Sequence, residues 1–139
     1  MGNWMPGYSG TPLPKKLGIK AGFRVQLANA PAEVCAELSP ALAACTIVKA
    51  GDALDFAIVF TQSRTELKKE FARLTKALAP AGMLWVSWPK KSSGVATDVD
   101  ENRVREIGLH AGLVDVKVCA VTDVWSGLKF VRRLKDRKK

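Results

Sequence analysis

Long apolar runs are missing from this chain; none approaches the roughly 20 residues that a membrane-spanning helix needs. The opening MGNWMPGYSG lacks the charged and apolar regions of a signal peptide, and Pro6 stands where a myristoylation motif takes Ser or Thr. Cysteine and histidine are scarce. Cys35, Cys45 and Cys119 are odd in number and form no Cys-x-x-Cys pair, and His110 is the single histidine. A zinc site takes about four such ligands, so these scattered residues predict no metal, and the cysteines read as small buried hydrophobes. With one histidine, far along the chain from Ser87, Ser92 and Ser93, no Ser–His pair is expected. No paired carboxylates flank an evident cleft for glycoside hydrolysis either. The reading is of a cytoplasmic protein without membrane association, catalytic residues, metal or cofactor.

What is present describes one folded domain. In 139 residues, 47% are hydrophobic and 25% charged, enough for a single core that buries roughly two thirds of the unfolded surface. The net charge of +9 is uneven. Lys15, Lys16, Lys20 and Arg24 stand in the first 24 residues without an acid, and residues 129–139 hold seven basic groups against Asp136. The body between them is nearly neutral, eleven basic against twelve acidic. Basic ends attract nucleic acid or an acidic protein; the plainer reading is a solvated tail.

Along the chain, residues 1–18 are rich in Gly and Pro and read as an N-terminal arm with one short helical turn. Residues 19–134 read as a single α/β domain and 135–139 as a basic tail. Strands are predicted at Phe23–Ala30, Cys45–Lys49, Leu54–Phe60 and Met83–Trp88, with a short helix from Pro31 through Leu38. LDFAIVF (Leu54–Phe60) is apolar throughout, as a parallel strand covered on both faces should be. Ser63-x-x-Glu66 has capping-box spacing; Leu67, Phe71, Leu74 and Leu78 continue it as a helical stripe, stopped by Pro80 and Gly82. Asp98-x-x-Glu101 is a second capping box, opening a helix with Val104, Ile107 and Ala111 on one face and ending at Gly112. Val114–Val121 and Leu128–Leu134 pair across Asp123–Gly127 as an antiparallel hairpin. The sum is an open, mostly parallel α/β sheet with an antiparallel C-terminal hairpin, in three αβα layers.

The segment LWVSWPKKSSGVATD carries the best candidate site. An apolar strand ends at Trp88-Pro89, meets Lys90 and Lys91, and crosses Ser92, Ser93 and Gly94 toward a helix that Thr97 or Asp98 would open. Backbone donors, hydroxyls and positive charge at a strand-to-helix crossing suit an anion or phosphate. Trp88 offers a face for stacking a ligand, and Tyr8, Ser9, Gly10, Lys15 and Lys16 a lid over the same edge. Against this, Pro89 and Gly94 also serve simply to shape a loop, the same arm also tucks Leu13, Leu17 and Ile19 into the core, and Asp98, Asp100 and Glu101 compete with an anion.

LDFAIVF, the capped helix after it, LAPAGMLWVSW, the helix ending HAGL and the closing hairpin resemble the C-terminal half of class I methyltransferases over residues 52–134. The resemblance implies a Rossmann-like, methyltransferase-like fold. It also implies an S-adenosylmethionine site at a Gly-rich turn after the first strand and a ribose-binding carboxylate after the second. The first turn here, Leu27–Val34 (LANAPAEV), has no glycine, and Lys49 ends the second strand with Asp52 three residues later. YSGTPLPKKLGI, WVSWPKK, GVATD, VDVKVCAV and WSGLKFV also resemble an uncharacterised family of small bacterial proteins. The reading is therefore a non-catalytic methyltransferase-like domain binding an anionic or phosphate-bearing small molecule at Lys90–Thr97. The alternatives are an interaction module whose basic termini bind nucleic acid or an acidic protein, and an S-adenosylmethionine-dependent methyltransferase.

Overall fold

An apolar run with no polar face must be covered on both sides, and the architecture follows from that demand. The computed structural model describes residues 11–49 and 53–137. Its elements are α1 (Leu13–Leu17), β1 (Arg24–Ala28), α2 (Ala32–Leu42), β2 (Thr46–Ile47), β3 (Leu54–Phe60), α3 (Arg64–Ala77), β4 (Leu78–Pro89), α4 (Glu101–His110), β5 (Leu113–Ala120) and β6 (Trp125–Arg132). Single 3-10 turns occupy Lys91–Ser93 and Leu134–Asp136. The strands form one sheet in the order β2-β1-β3-β4-β6-β5. β2, β1, β3 and β4 are parallel, and β6 is antiparallel to both β4 and β5. This is the mixed, Rossmann-like α/β sheet with an antiparallel hairpin that the sequence pattern predicts. Among the described residues no helix is long and apolar enough to cross a membrane.

Side chains alternate along a strand, so the central strands feed two separate cores. Phe56, Ile58 and Phe60 pack with Leu17, Val34, Leu38 and Trp85 beneath α1 and α2. Ala57 and Val59 pack with Leu67, Phe71, Leu74, Val104 and Phe130 beneath α3 and α4. The first layer is pinned by the Trp85 indole, which is wholly buried and donates from Nε1 to the Leu17 carbonyl at 2.9 Å. Burying each large side chain contributes about 1.5–3 kcal/mol, so Leu13 and Leu17 hold α1 firmly to the sheet.

Several boundaries differ from the sequence-based expectations. Leu78 is not the end of the α3 stripe: α3 stops at Ala77 and Leu78 opens β4, pairing with Leu54. The register then slips before Phe56 meets Met83, and the close approach there requires a glycine at 82, since a Cβ would sit 2.4 Å from the Leu54 carbonyl oxygen. The helix after Pro31 runs to Leu42 rather than Leu38; Pro40 falls in its last turn, where the loss is a single hydrogen bond. β2 is only two residues long, although the Val48 N–H still donates to the Val25 carbonyl at 2.8 Å. Trp125, Ser126 and Gly127 are strand, not turn. The turn lies at 121–124, where Val121 N–H donates to Trp125 O at 2.8 Å and Thr122 Oγ1 accepts from the Val124 and Trp125 amides. Gly127 serves close packing there: a Cβ would meet Val121 Cγ2 at 2.8 Å and Trp85 Cε3 at 3.1 Å.

Candidate functional site

β3 and β4 end on the same edge of the sheet, and a cleft of about 650 Å3 opens there. Ligands of open α/β sheets sit at this carboxyl edge. Arg64 at the first turn of α3, Trp88 and Pro89 at the end of β4, Lys90 and Lys91 just after it, residues 97–102 leading into the first turn of α4, and Ser126 on β6 form its walls. The structure thus brings together Trp88, Lys90, Lys91 and Thr97. Ser92, Ser93 and Gly94 stand outside the wall. Trp88 is 5% exposed and belongs to the α3–α4 core, so the cleft meets only a margin of its indole. Lys15 and Lys16 lie on α1, across the sheet, and do not line the cleft. Tyr8, Ser9, Gly10 and Asp52 lie outside the described residues.

The crossing from β4 is not the direct strand-to-helix step that the sequence suggests. After the 3-10 turn the chain has no regular structure through Asp100, and α4 starts at Glu101. Gly94 takes a left-handed conformation (φ 78°) that closes the turn, with Ser93 and Gly94 amides donating to the Lys90 and Lys91 carbonyls at 3.0 and 3.3 Å. The Ser93 hydroxyl donates to Lys90 O at 2.6 Å and accepts from the Val95 amide. The Thr97 hydroxyl donates to Gln62 O at 2.8 Å and accepts from the Val99 amide. These donors build the loop.

Asp98 does not cap the helix it precedes. Its Oδ1 accepts from the Arg64 amide at 2.8 Å, and its carbonyl accepts from Arg64 Nε, so it closes the N-terminus of α3. Asp100 is the cap of α4, accepting from the Arg103 amide at 2.9 Å. A carboxylate lowers the energy of a helix N-terminus by satisfying its amides and its dipole. Both helix ends facing the cleft therefore already hold an anion of the protein's own, and free positive charge comes from side chains. Among the described residues Lys90, Lys91 and Arg64 form no ion pair. Arg64 was not singled out in the sequence; its position directly after the Ser63 cap, at the end of an apolar strand, was the available signal.

Next to the cleft, the Ser63 cap operates as read: its Oγ accepts from the Glu66 amide. The return half of the box runs through Thr61, which is 2% exposed. Its Oγ1 accepts from the Ser63 amide at 3.1 Å and donates to Glu66 Oε1 at 3.0 Å. Glu66 Oε2 also accepts from Asn29 Nδ2 at 3.4 Å, tying α3 to the β1–α2 turn. Asn29 is itself left-handed, φ 61°.

A second groove, of about 550 Å3, lies between α3 and α4, with Phe71, Ala72, Ile107 and Ala111 below Lys68, Arg103, Glu106 and His110. Among the described residues no three His, Cys, Asp or Glu side chains are placed to share a metal ion.

A family model described as "Protein of unknown function (DUF3052)" matches residues 15–134. A sequence search of curated proteins finds no match. Among solved structures, a SAM-dependent methyltransferase from Aquifex aeolicus is similar with a TM-score of 0.64 at 15% identity, over 84% of this chain and 85% of that one. A putative type 11 methyltransferase from Sulfolobus solfataricus gives 0.59 at 15% identity, over 87% and 89%. Magnesium protoporphyrin IX methyltransferase from Synechocystis PCC 6803 gives 0.59 at 14% identity, over 87% and 78%. At these identities the likeness is one of fold.

Proposed function

From the premise that the chain belongs to the DUF3052 family of unknown function and has a methyltransferase-like fold, we propose that it is a non-catalytic member of that fold, binding a phosphate-bearing small molecule in the cleft at the carboxyl edge. The single observation that carries this reading is the set of Arg64, Lys90 and Lys91, three cations without ion-pair partners among the described residues, around one 650 Å3 cleft. A guanidinium fork and two lysine point charges both suit a phosphate, whose several oxygens accept charge-assisted hydrogen bonds. Pro89 and the exposed margin of Trp88 supply an apolar patch for the rest of the ligand, as small-molecule sites need.

The residues of the β1–α2 turn do not fit S-adenosylmethionine. A glycine there lets backbone approach the ligand, whereas this turn has Asn29, Ala30 and Pro31, and the Asn29 side chain reaches across to Glu66.

Thermal denaturation with inorganic phosphate, pyrophosphate and ATP, against potassium chloride at equal ionic strength, tests the proposal. Ligand at a hundredfold excess over Kd stabilises the folded state by about 2.7 kcal/mol, a shift of several degrees. The Lys90→Ala, Lys91→Ala double variant should lose that shift. Absence of any shift in the parent protein, or an undiminished one in the variant, sinks the reading. Micromolar S-adenosylmethionine binding lost on substitution of Asn29 would restore the methyltransferase alternative.

A further inference from the structure

The two basic ends of the sequence meet on the face of the sheet opposite the cleft-lining helices. Lys16 on α1 donates from Nζ to Ala120 O on β5 at 3.0 Å, and Lys117 on β5 donates from Nζ to Lys16 O at 3.1 Å. Lys129 on β6 is the register partner of Lys117. Its Nζ lies 4.0 Å from the position that a Cβ would take on Gly18, where the chain leaves α1 toward Lys20. Half-burial, followed by the charges of Lys117 and Lys20, pushes the Lys129 ammonium below the usual lysine range. Among the described residues Lys20, Lys117 and Lys129 form no ion pair, and the neighbouring acid on β5, Asp115, is bound to Arg105 of α4 at 2.9 Å. Like charges are thus held together against their own repulsion, with no carboxylate paired to them among the described residues.

We propose that this strip, Lys20–Lys129–Lys117 beside α1, binds the sugar-phosphate backbone of a nucleic acid. Ammonium charges spaced along one strip complement the regularly spaced charges of a phosphodiester backbone, whereas protein–protein interfaces are depleted in lysine. Trp85, one of the aromatic residues on this side of the sheet, is fully buried and donates to Leu17 O, so its indole does not stack bases. The strip therefore makes backbone contacts and reads no sequence. The C-terminal segment is less suited than its composition suggests. Arg132 Nη2 donates to Thr75 O and Leu78 O at 2.7 and 2.8 Å, and Arg133 pairs with Asp136. This inference is independent of the phosphate cleft.

Fluorescence anisotropy with a labelled DNA duplex and a single-stranded RNA of the same sequence, between 50 and 200 mM KCl, tests it. Neutralising three duplex phosphates gives a slope of log K against log salt of about −2.7, or roughly 40-fold over that range, and a shallower slope for the single strand. Binding of both identifies the shared backbone; binding of one names the source. The Lys20→Gln, Lys117→Gln, Lys129→Gln variant should lose at least tenfold in affinity with a nearly flat slope, and the corresponding triple Arg variant should retain binding. Should the Gln triple fail to fold by circular dichroism, exposed Lys20→Gln alone is expected to lose about threefold. Lys90→Ala, Lys91→Ala should leave affinity unchanged, which separates this surface from the cleft. The proposal is overturned by absence of binding at 50 mM salt, by an unchanged slope in the folded Gln variants, or by tighter binding to poly-glutamate or phosphatidylserine vesicles than to nucleic acid.

Discussion

Gly108 should be intolerant of even one methyl group. It lies inside α4, is buried, and faces Phe130 of β6. A Cβ at this position would stand 2.0 Å from Phe130 Cε1, 2.5 Å from Cζ and 2.6 Å from Cδ1, against a normal carbon–carbon contact of about 3.5–4.0 Å. The ring has nowhere to retreat, because it is wholly buried and packed edge-on to Phe71 at 5.3 Å and 89°. Helix propensity alone favours Gly108→Ala by about 1 kcal/mol. Overpacking opposes it by about 1–3 kcal/mol or more, and a clash this deep belongs at the upper end. The net expectation is destabilisation of about 2 kcal/mol, seen as a fall in Tm of roughly 6–8 °C in calorimetry. Phe130→Leu in the same chain should relieve the clash, so the double variant should be more stable than the sum of the singles by at least about 1 kcal/mol. A Tm equal to or above the parent's for Gly108→Ala would refute the packing argument, as would strict additivity.

Arg132→Met should lower stability by about 2 kcal/mol, since two carbonyls at the α3–β4 junction lose a charged donor; urea denaturation should show a lower midpoint with unchanged slope. Lys129→Met should raise Tm at pH 7. The folded-state pKa of Lys129 is lowered, so below it both states are protonated and the folded one carries the full penalty. As pH rises from that value toward the unfolded 10.5, the unfolded state binds more protons and the parent protein recovers stability. The Tm advantage of Lys129→Met should accordingly shrink by pH 10, and an advantage independent of pH would contradict the assignment.

The sheet was legible because its signals are local. LDFAIVF has no polar face to leave in water, and its span matches β3 residue for residue. Ser63 caps α3 because a hydroxyl three residues before an amide needs no distant partner. The errors arose where the deciding contact was remote. Asp98 has the spacing of a cap for the following helix, yet its carboxylate goes to Arg64, 34 positions earlier. Gly127 has the composition of a turn, yet it is in a strand because Trp85 and Val121 leave no room for a Cβ. Leu78 fits a helical period, but pairing with Leu54 draws it into the sheet. In the candidate site, Lys90, Lys91, Trp88 and Thr97 were readable from one segment, while Arg64 joins them only through the parallel pairing of β3 with β4.

The placement of β6 bears on how the molecule is made. It is the last of the six strands to leave a ribosome, yet it is inserted between β4 and β5 rather than added at the rim. Until Trp125–Arg132 emerges, β4 has no neighbour on that flank and Phe71 lacks the ring it packs against. A nascent chain halted a few residues short would display a twelve-residue, largely apolar strand with unsatisfied amides, the kind of edge that recruits other chains. Closure of the sheet therefore waits for its last strand, and a frameshift before Trp125 would produce an aggregating fragment instead of a shortened domain.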